Sequence, residues 1–181
     1  MKQPLQSGFF IFIFSILAAC DSGSRDTHKN PPVEIAAGDE CHLCGMYITQ
    51  FSGPKGEAYV RGNPQALKFC STRDLFSYIL QPDVKTIARE IYVHDMGKTD
   101  LPGLSMRASY FTDARSAYYI INTPLKGAMG HIIASFAKKQ DAEAFIDKFG
   151  GKLLRFNDIT LEIIRDIQQQ PGGRVPATPG K

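Results

Sequence analysis

The sequence predicts an α+β fold: one domain of two ββα-type units, with small antiparallel or mixed sheets and two to three helices. Three observations carry this. Short β-prone runs followed by an amphipathic helical segment occur twice along the chain. Turn chemistry separates the runs, most clearly at Gly53-Pro54-Lys55-Gly56 and Gly150-Gly151. A chain of 181 residues, 43% hydrophobic and 22% charged, suits one sizeable core and is too short for two large domains.

The N-terminus precedes that domain. Lys2 is followed by an apolar run over residues 8–17, far short of the ~20 residues needed to span a bilayer. One positive charge, a short apolar stretch and small residues make residues 1–19 a secretory leader. It ends in Leu17-Ala18-Ala19-Cys20, which resembles a bacterial lipobox. The resemblance implies that Cys20 becomes the acylated first residue of the mature protein, anchoring it to a membrane it does not span. An ordinary leader cleaved near Ala19 would instead leave a free thiol. Asp21 resembles an inner-membrane retention signal, though inner and outer membrane both stay open. Residues 20–38 read as the lipidated Cys and a flexible tether, polar and small, stiffened by Pro31-Pro32 and including His28. Residues 168–181, dense in Pro and Gly toward the end, read as a disordered tail. The folded domain is then residues 39–167.

Within it, residues 46–52 and 57–61 are strand candidates about the Gly53–Gly56 turn, and residues 66–70 form a short third strand. Ser71-Thr72-Arg73-Asp74 opens a helix with apolar Leu75, Phe76, Ile79 and Leu80 that stops before Pro82. The second unit has strands at 90–94 and 117–122, a short run at 131–135, and a helix over 139–149. In that helix Ala142, Phe145, Ile146 and Phe149 share one face, and Gly150-Gly151 ends it. A strand at 152–156 and an amphipathic segment at 158–167 close the domain.

Function classes narrow quickly. With 21 basic and 18 acidic side chains and no basic cluster, the chain lacks the positive field that nucleic acid requires. It has no Gly-x-Ser-x-Gly, no His-Glu-x-x-His and no phosphate loop, so nothing marks a hydrolase. What stands out is Cys41-His42-Leu43-Cys44-Gly45-Met46: two thiols, an imidazole and a thioether in a short stretch. A Cys-x-x-Cys forms a disulfide, works as a redox pair, supplies half a zinc site, or binds a soft ion such as Cu(I). Met46 tilts the choice, because thioether sulfur is a poor ligand for Zn²⁺ and a good one for Cu(I).

Cysteine arithmetic agrees. With Cys20 lipidated, Cys41, Cys44 and Cys70 are left, an odd number in an oxidising compartment, so at least one thiol stays free or holds a metal. Cys70 sits where an apolar strand meets a helix N-terminus, either as a thiol of lowered pKa or as a small buried apolar residue. Gly127-Ala128-Met129-Gly130-His131 places a thioether and an imidazole in a Gly-bracketed loop that can close on an ion. Val93-His94-Asp95-Met96 repeats the chemistry at a strand end, with a hydrogen-bonding role for its Asp, while Met106 reads as packing.

Cys41–Met46, Gly53-Pro54-Lys55-Gly56-Glu57-Ala58, the stretch from Lys68 to Phe76, Tyr92-Val93-His94-Asp95-Met96 and Gly127-Ala128-Met129-Gly130 together resemble the NosL family, in family order. The resemblance implies a fold like that of organomercurial lyase and a membrane-anchored, periplasm-facing Cu(I) chaperone encoded with nitrous oxide reductase. Its partners would be nitrous oxide reductase and its membrane-bound maturation machinery. It places the motif sulfurs at Cys44, Met46 and Met129, with Cys41 and His131 ranked after them and His131 resting mostly on its chemistry, for about one Cu(I) per chain. Two rivals remain. One is a structural zinc module in which Cys41, Cys44 and Cys70 join a His; the other is a thiol-disulfide oxidoreductase, whose Cys-x-x-Cys would normally open a helix.

Overall fold

The computed structural model describes residues 29–98 and 106–169. The leader, Cys20 and the tail beyond residue 169 lie outside these residues.

Nine strands and four helices follow one another in the described chain: β1 (Gly56–Val60), β2 (Leu67–Phe69), α1 (Thr72–Ile79), α2 (Pro82–Lys85), β3 (Ala88–His94), β4 (Phe111–Asp113), β5 (Tyr118–Ile121), β6 (Lys126–Gly127), β7 (Gly130–His131), β8 (Ala134–Phe136), α3 (Lys139–Phe149), β9 (Lys152–Arg155) and α4 (Leu161–Gln169). They build a four-stranded sheet in the order β2-β1-β3-β4, a three-stranded sheet β8-β5-β9 and the small hairpin β6-β7. The pairings are antiparallel, which resolves the choice left by the sequence. The predicted α+β class is the observed one.

Helix α1 forms where its signals place it. Ser71 caps it, its hydroxyl accepting the Asp74 N–H at 3.0 Å, and Leu75, Phe76 and Ile79 turn one face into the core. Gly56 lets that helix approach the sheet, since a Cβ there would fall 2.6 Å from a Leu75 methyl. The main core gathers Phe69, Phe76, Val93, Tyr119, Ile133 and Ile164 between the sheets and helices. A second cluster under α3 holds Ile120, Phe136, Ala142 and Phe145.

Four expectations are corrected. Residues 46–52 do not form a strand: Tyr47 makes a single bridge to Glu40, and Ile48–Gln50 is a 3₁₀ turn. The Met46 carbonyl accepts the Cys41 N–H at 2.9 Å, so the chain folds back on the Cys-x-x-Cys loop and no ladder forms. Strand β3 belongs to the first sheet, with Ile91 opposite Ala58 and Val93 opposite Gly56, so the two units share strands more unevenly than the duplicated pattern suggests. The run at 131–135 is divided between β7 and β8. Lastly, residues 29–38 are not free tether but a strap across the first sheet. Ile35 is buried and the Tyr92 and Tyr59 hydroxyls donate to the Asn30 and Pro31 carbonyls.

The strap meets Glu57, which is fully buried and accepts the Val33 N–H at 3.0 Å. Burial raises this carboxyl from 4.5 to about 7. His94, also fully buried, accepts the Lys55 N–H at Nδ1, and burial pushes its imidazole from 6.5 down to about 3. From 4.5 to about 7 the folded chain keeps a proton on Glu57 that the unfolded chain has lost, so this group costs stability as pH rises. From about 3 to 6.5 the unfolded chain binds a proton that folded His94 refuses, so this group adds stability as pH rises. The slopes oppose between 4.5 and 6.5. Glu57→Gln is therefore expected to expose the His94 slope, with stability climbing by about 1.4 kcal/mol per pH unit in that window. Urea unfolding at stepped pH reads it; a variant as flat as the parent would contradict it.

Candidate metal centre

The Cys-x-x-Cys loop is shaped by its backbone. Gly45 takes φ +72°, a left-handed conformation that favours glycine, and its N–H returns to the Cys41 carbonyl at 2.8 Å. The His42 N–H donates to the Lys68 carbonyl at 2.8 Å, which fastens the loop to the free edge of β2. That edge leads directly to Cys70 and the cap of α1. The loop and the helix start are thus brought together.

The result is a cluster of Cys41, Cys44, Cys70 and Asp74, whose ligand atoms all lie within 4.8 Å of one another. The Cys44 and Cys70 sulfurs are 3.6 Å apart. Cys70 and Cys41 both donate to Asp74 Oδ2, at 3.0 and 3.7 Å. Cys41, Cys70 and Asp74 are buried, whereas Cys44 is partly exposed, and apolar Leu43 and Tyr47 beside it face solvent. Such a site has a closed floor and an open lid.

The groups titrate as one unit. The hydrogen bond from Cys70 draws Cys41 below the ordinary thiol range. The same bond, with burial and the Asp74 carboxylate, pushes Cys70 above it. Burial raises both Cys44 and Asp74. Lys55 stands behind the cluster, fully buried, donating to the Phe51, Ser52 and Cys70 carbonyls at 2.7, 3.3 and 3.1 Å. Burial lowers its ammonium to about 8, while Cys70 and Cys41 pull in the opposite direction. A fixed cation beside thiolates offsets part of their charge.

The sequence candidates are distributed unequally. Cys41 and Cys44 are in the cluster. Met46 belongs to the same loop, half-buried against the core. Met129 is exposed at the tip of the β6–β7 hairpin, where Gly130 lies against Arg73, the residue before Asp74. His131 is 7% exposed; its Nδ1 is 3.0 Å from the Thr123 carbonyl, and its buried Nε2 has no hydrogen-bond partner among the described residues. His94 and Met96 are interior, and the Asp95 carboxylate accepts the Gly97 and Ala137 N–H groups, a structural role.

Asp74 was not foreseen as a site residue, and Cys70 only as an open choice. Their signal is the Ser71 cap, which sets Cys70 just before the helix and Asp74 in its first turn, where the two side chains meet at 3.0 Å. Because Ser71 holds that start, Ser71→Ala is expected to cost about 1 kcal/mol of stability, read by thermal or urea unfolding. An unchanged midpoint would refute the capping role.

Comparisons with known proteins show which family the chain belongs to. The NosL family model matches residues 32–164. The copper-binding lipoprotein NosL of Stutzerimonas stutzeri is 40% identical over 160 residues, covering 87% of this chain and 81% of that protein. The copper-binding lipoprotein NosL of Achromobacter cycloclastes is 29% identical over 157 residues, covering 83% and 79%. The crystal structure of the copper chaperone NosL from Shewanella denitrificans superposes with a TM-score of 0.67 at 48% identity, covering 71% of this chain and 94% of that one. A family match over the folded region, a relative at that identity and a shared fold have one meaning: this chain belongs to the NosL family.

Proposed function

We propose that the chain is a membrane-anchored Cu(I) chaperone that delivers copper for assembly of the copper centres of nitrous oxide reductase, and that it is a carrier with no reaction of its own. The observation that carries this is the cluster of three thiols within 4.8 Å, one of them partly exposed. Soft thiolate and thioether sulfur suits Cu(I). Two relatives are named as copper-binding and the Shewanella denitrificans neighbour as a copper chaperone.

Cys44 is the thiol that receives and passes on the ion, because it alone of the three reaches solvent. Met46, two residues on, and Met129, on its exposed hairpin tip, supply thioethers weak enough for an incoming ligand to displace. Cys41 backs Cys44 from inside the loop. His131, its ring fixed through Nδ1, offers Nε2 as a nitrogen ligand. Thiolate ligation releases protons, so affinity rises with pH.

Anchoring at Cys20 fits the same reading. The two curated relatives are named lipoproteins, and no helix of the described residues is long and apolar enough to cross a membrane. Nitrous oxide reductase and its membrane-bound maturation machinery are the recipients in this reading.

A specific observation favours one rival: three thiols and a carboxylate also make a four-ligand set for Zn²⁺. Competition separates the two. The reduced protein is expected to bind about one Cu(I) against a Cu(I) chelator, to keep it in excess Zn²⁺, and to load copper into apo nitrous oxide reductase. Purification full of zinc that Cu(I) does not displace would overturn the proposal.

A further inference from the structure

The end of the four-stranded sheet away from the thiols carries positive charge. Strand β1 runs from Gly56, paired with Phe69 beside Cys70, to Val60, paired with Ala88. That is ~13 Å along the strand. At the Val60 end, Arg61, Lys85, Arg89 and Arg115 are all exposed. The fold holds them together: the Arg61 N–H donates to the Ile87 carbonyl at 2.9 Å, and the Arg115 guanidinium to the Arg89 carbonyl at 2.6 Å. Of the acids nearby, Asp113 pairs with Lys29, Glu90 accepts from the neutral Asn30 amide and keeps its charge, and Asp83 is exposed on α2, so three acids stand against Lys29 and the four exposed cations. Positive charge therefore remains in excess. A cavity of about 340 Å³ opens there, lined in part by Asn30, Asn63 and Arg89, enough for a phosphate group.

The described chain also enters the fold at this end, since Lys29 and Asn30 are tied to β4 and β3. Only residues 21–28 separate Lys29 from Cys20, a reach of at most ~30 Å even when fully extended. A basic surface on so short a leash reaches the headgroups, whose field extends about one Debye length, ~8 Å at physiological ionic strength.

We propose that this basic end is a membrane-docking surface. Arg61, Lys85, Arg89 and Arg115 rest against the phosphates of anionic lipids, and the thiol cluster at the far end of β1 is held outward, toward its recipient. The proposal rests on the lipid anchor assigned above. It adds an orientation, which the anchor alone does not set.

The test uses the full-length lipidated chain in vesicles of phosphatidylcholine, with or without phosphatidylglycerol, followed by amide hydrogen exchange and flotation. The expected result is exchange slowed by at least about threefold at residues 60–64 and 86–89 on the anionic vesicles, with residues 42–46 unchanged. The R61E/R89E/R115E variant is expected to lose that slowing while still floating with both vesicles. Equal exchange on both vesicle types, or slowing at 42–46 in place of the basic end, would overturn the docking surface. Failure to float on neutral vesicles would instead overturn the anchor, and the docking proposal with it.

Discussion

Cys44→Ser is expected to weaken Cu(I) binding by at least about a hundredfold, which corresponds to about 2.7 kcal/mol. A hydroxyl is a hard, weak ligand for a soft ion, and no other thiol of the cluster reaches solvent to replace the lost sulfur. Met129→Leu is expected to cost less, because a thioether contributes no charge to the complex. Met106→Leu is the control: Met106 packs half-buried against the core and lies outside the Cys41–Met46 loop and the Gly127–His131 hairpin that supply the proposed ligands. Chelator competition on the reduced proteins gives all three affinities. If Cys44→Ser and Met106→Leu bind Cu(I) equally well, the assignment of the receiving thiol is wrong.

Lys55→Met is expected to be among the most destabilising single changes in the chain, by about 3 kcal/mol or more. The fully buried ammonium satisfies three backbone carbonyls, and methionine fills its volume without replacing a single donor. For a domain of this size that is a fall of roughly 10 °C in melting temperature. A second readout separates chemistry from packing. Without the cation behind Cys70 and Cys41, thiolate formation becomes harder, so the thiolate absorbance of the metal-free protein should rise at higher pH. A variant that melts like the parent and titrates like it would show that the buried lysine serves neither purpose.

Much of this was legible in the sequence where local signals are self-sufficient. Ser71 with Leu75, Phe76 and Ile79 specifies α1 because cap and apolar face both lie within one short stretch. The face of α3 was equally readable from Ala142 and Phe145, both buried as its periodicity requires. The 46–52 segment misled because β-prone Tyr47, Ile48 and Thr49 are overridden by the return of the chain to Cys41. The strap at 29–38 misled for the opposite reason. Its own composition is that of a tether, and what fixes it are partners far along the chain, such as Glu57, Tyr59 and Tyr92. Strand β4 has only three residues, too few for any alternation to declare itself.

The site divides along the same line. Cys41 and Cys44 are visible as a spacing, and Met46 and Met129 as chemistry in short motifs. Asp74 reads from sequence as an ordinary first-turn acid that favours a helix N-terminus. Only the folded chain shows it accepting from two thiols at once. Sequence proximity finds ligands within a loop, and tertiary closure finds the rest.

In the Cys-x-x-Cys loop and at the start of α1, Cys44 and Cys70 stand 26 positions apart in sequence. An ion held by both segments therefore binds the folded chain and not the unfolded one, and ligand occupancy becomes a term in conformational stability. At a free concentration a hundred times the dissociation constant, that linkage amounts to about 2.7 kcal/mol. Each delivery then returns the carrier to a less stable form, more open to proteolysis until it is refilled. The lifetime of the protein would in this way record the supply of its cargo.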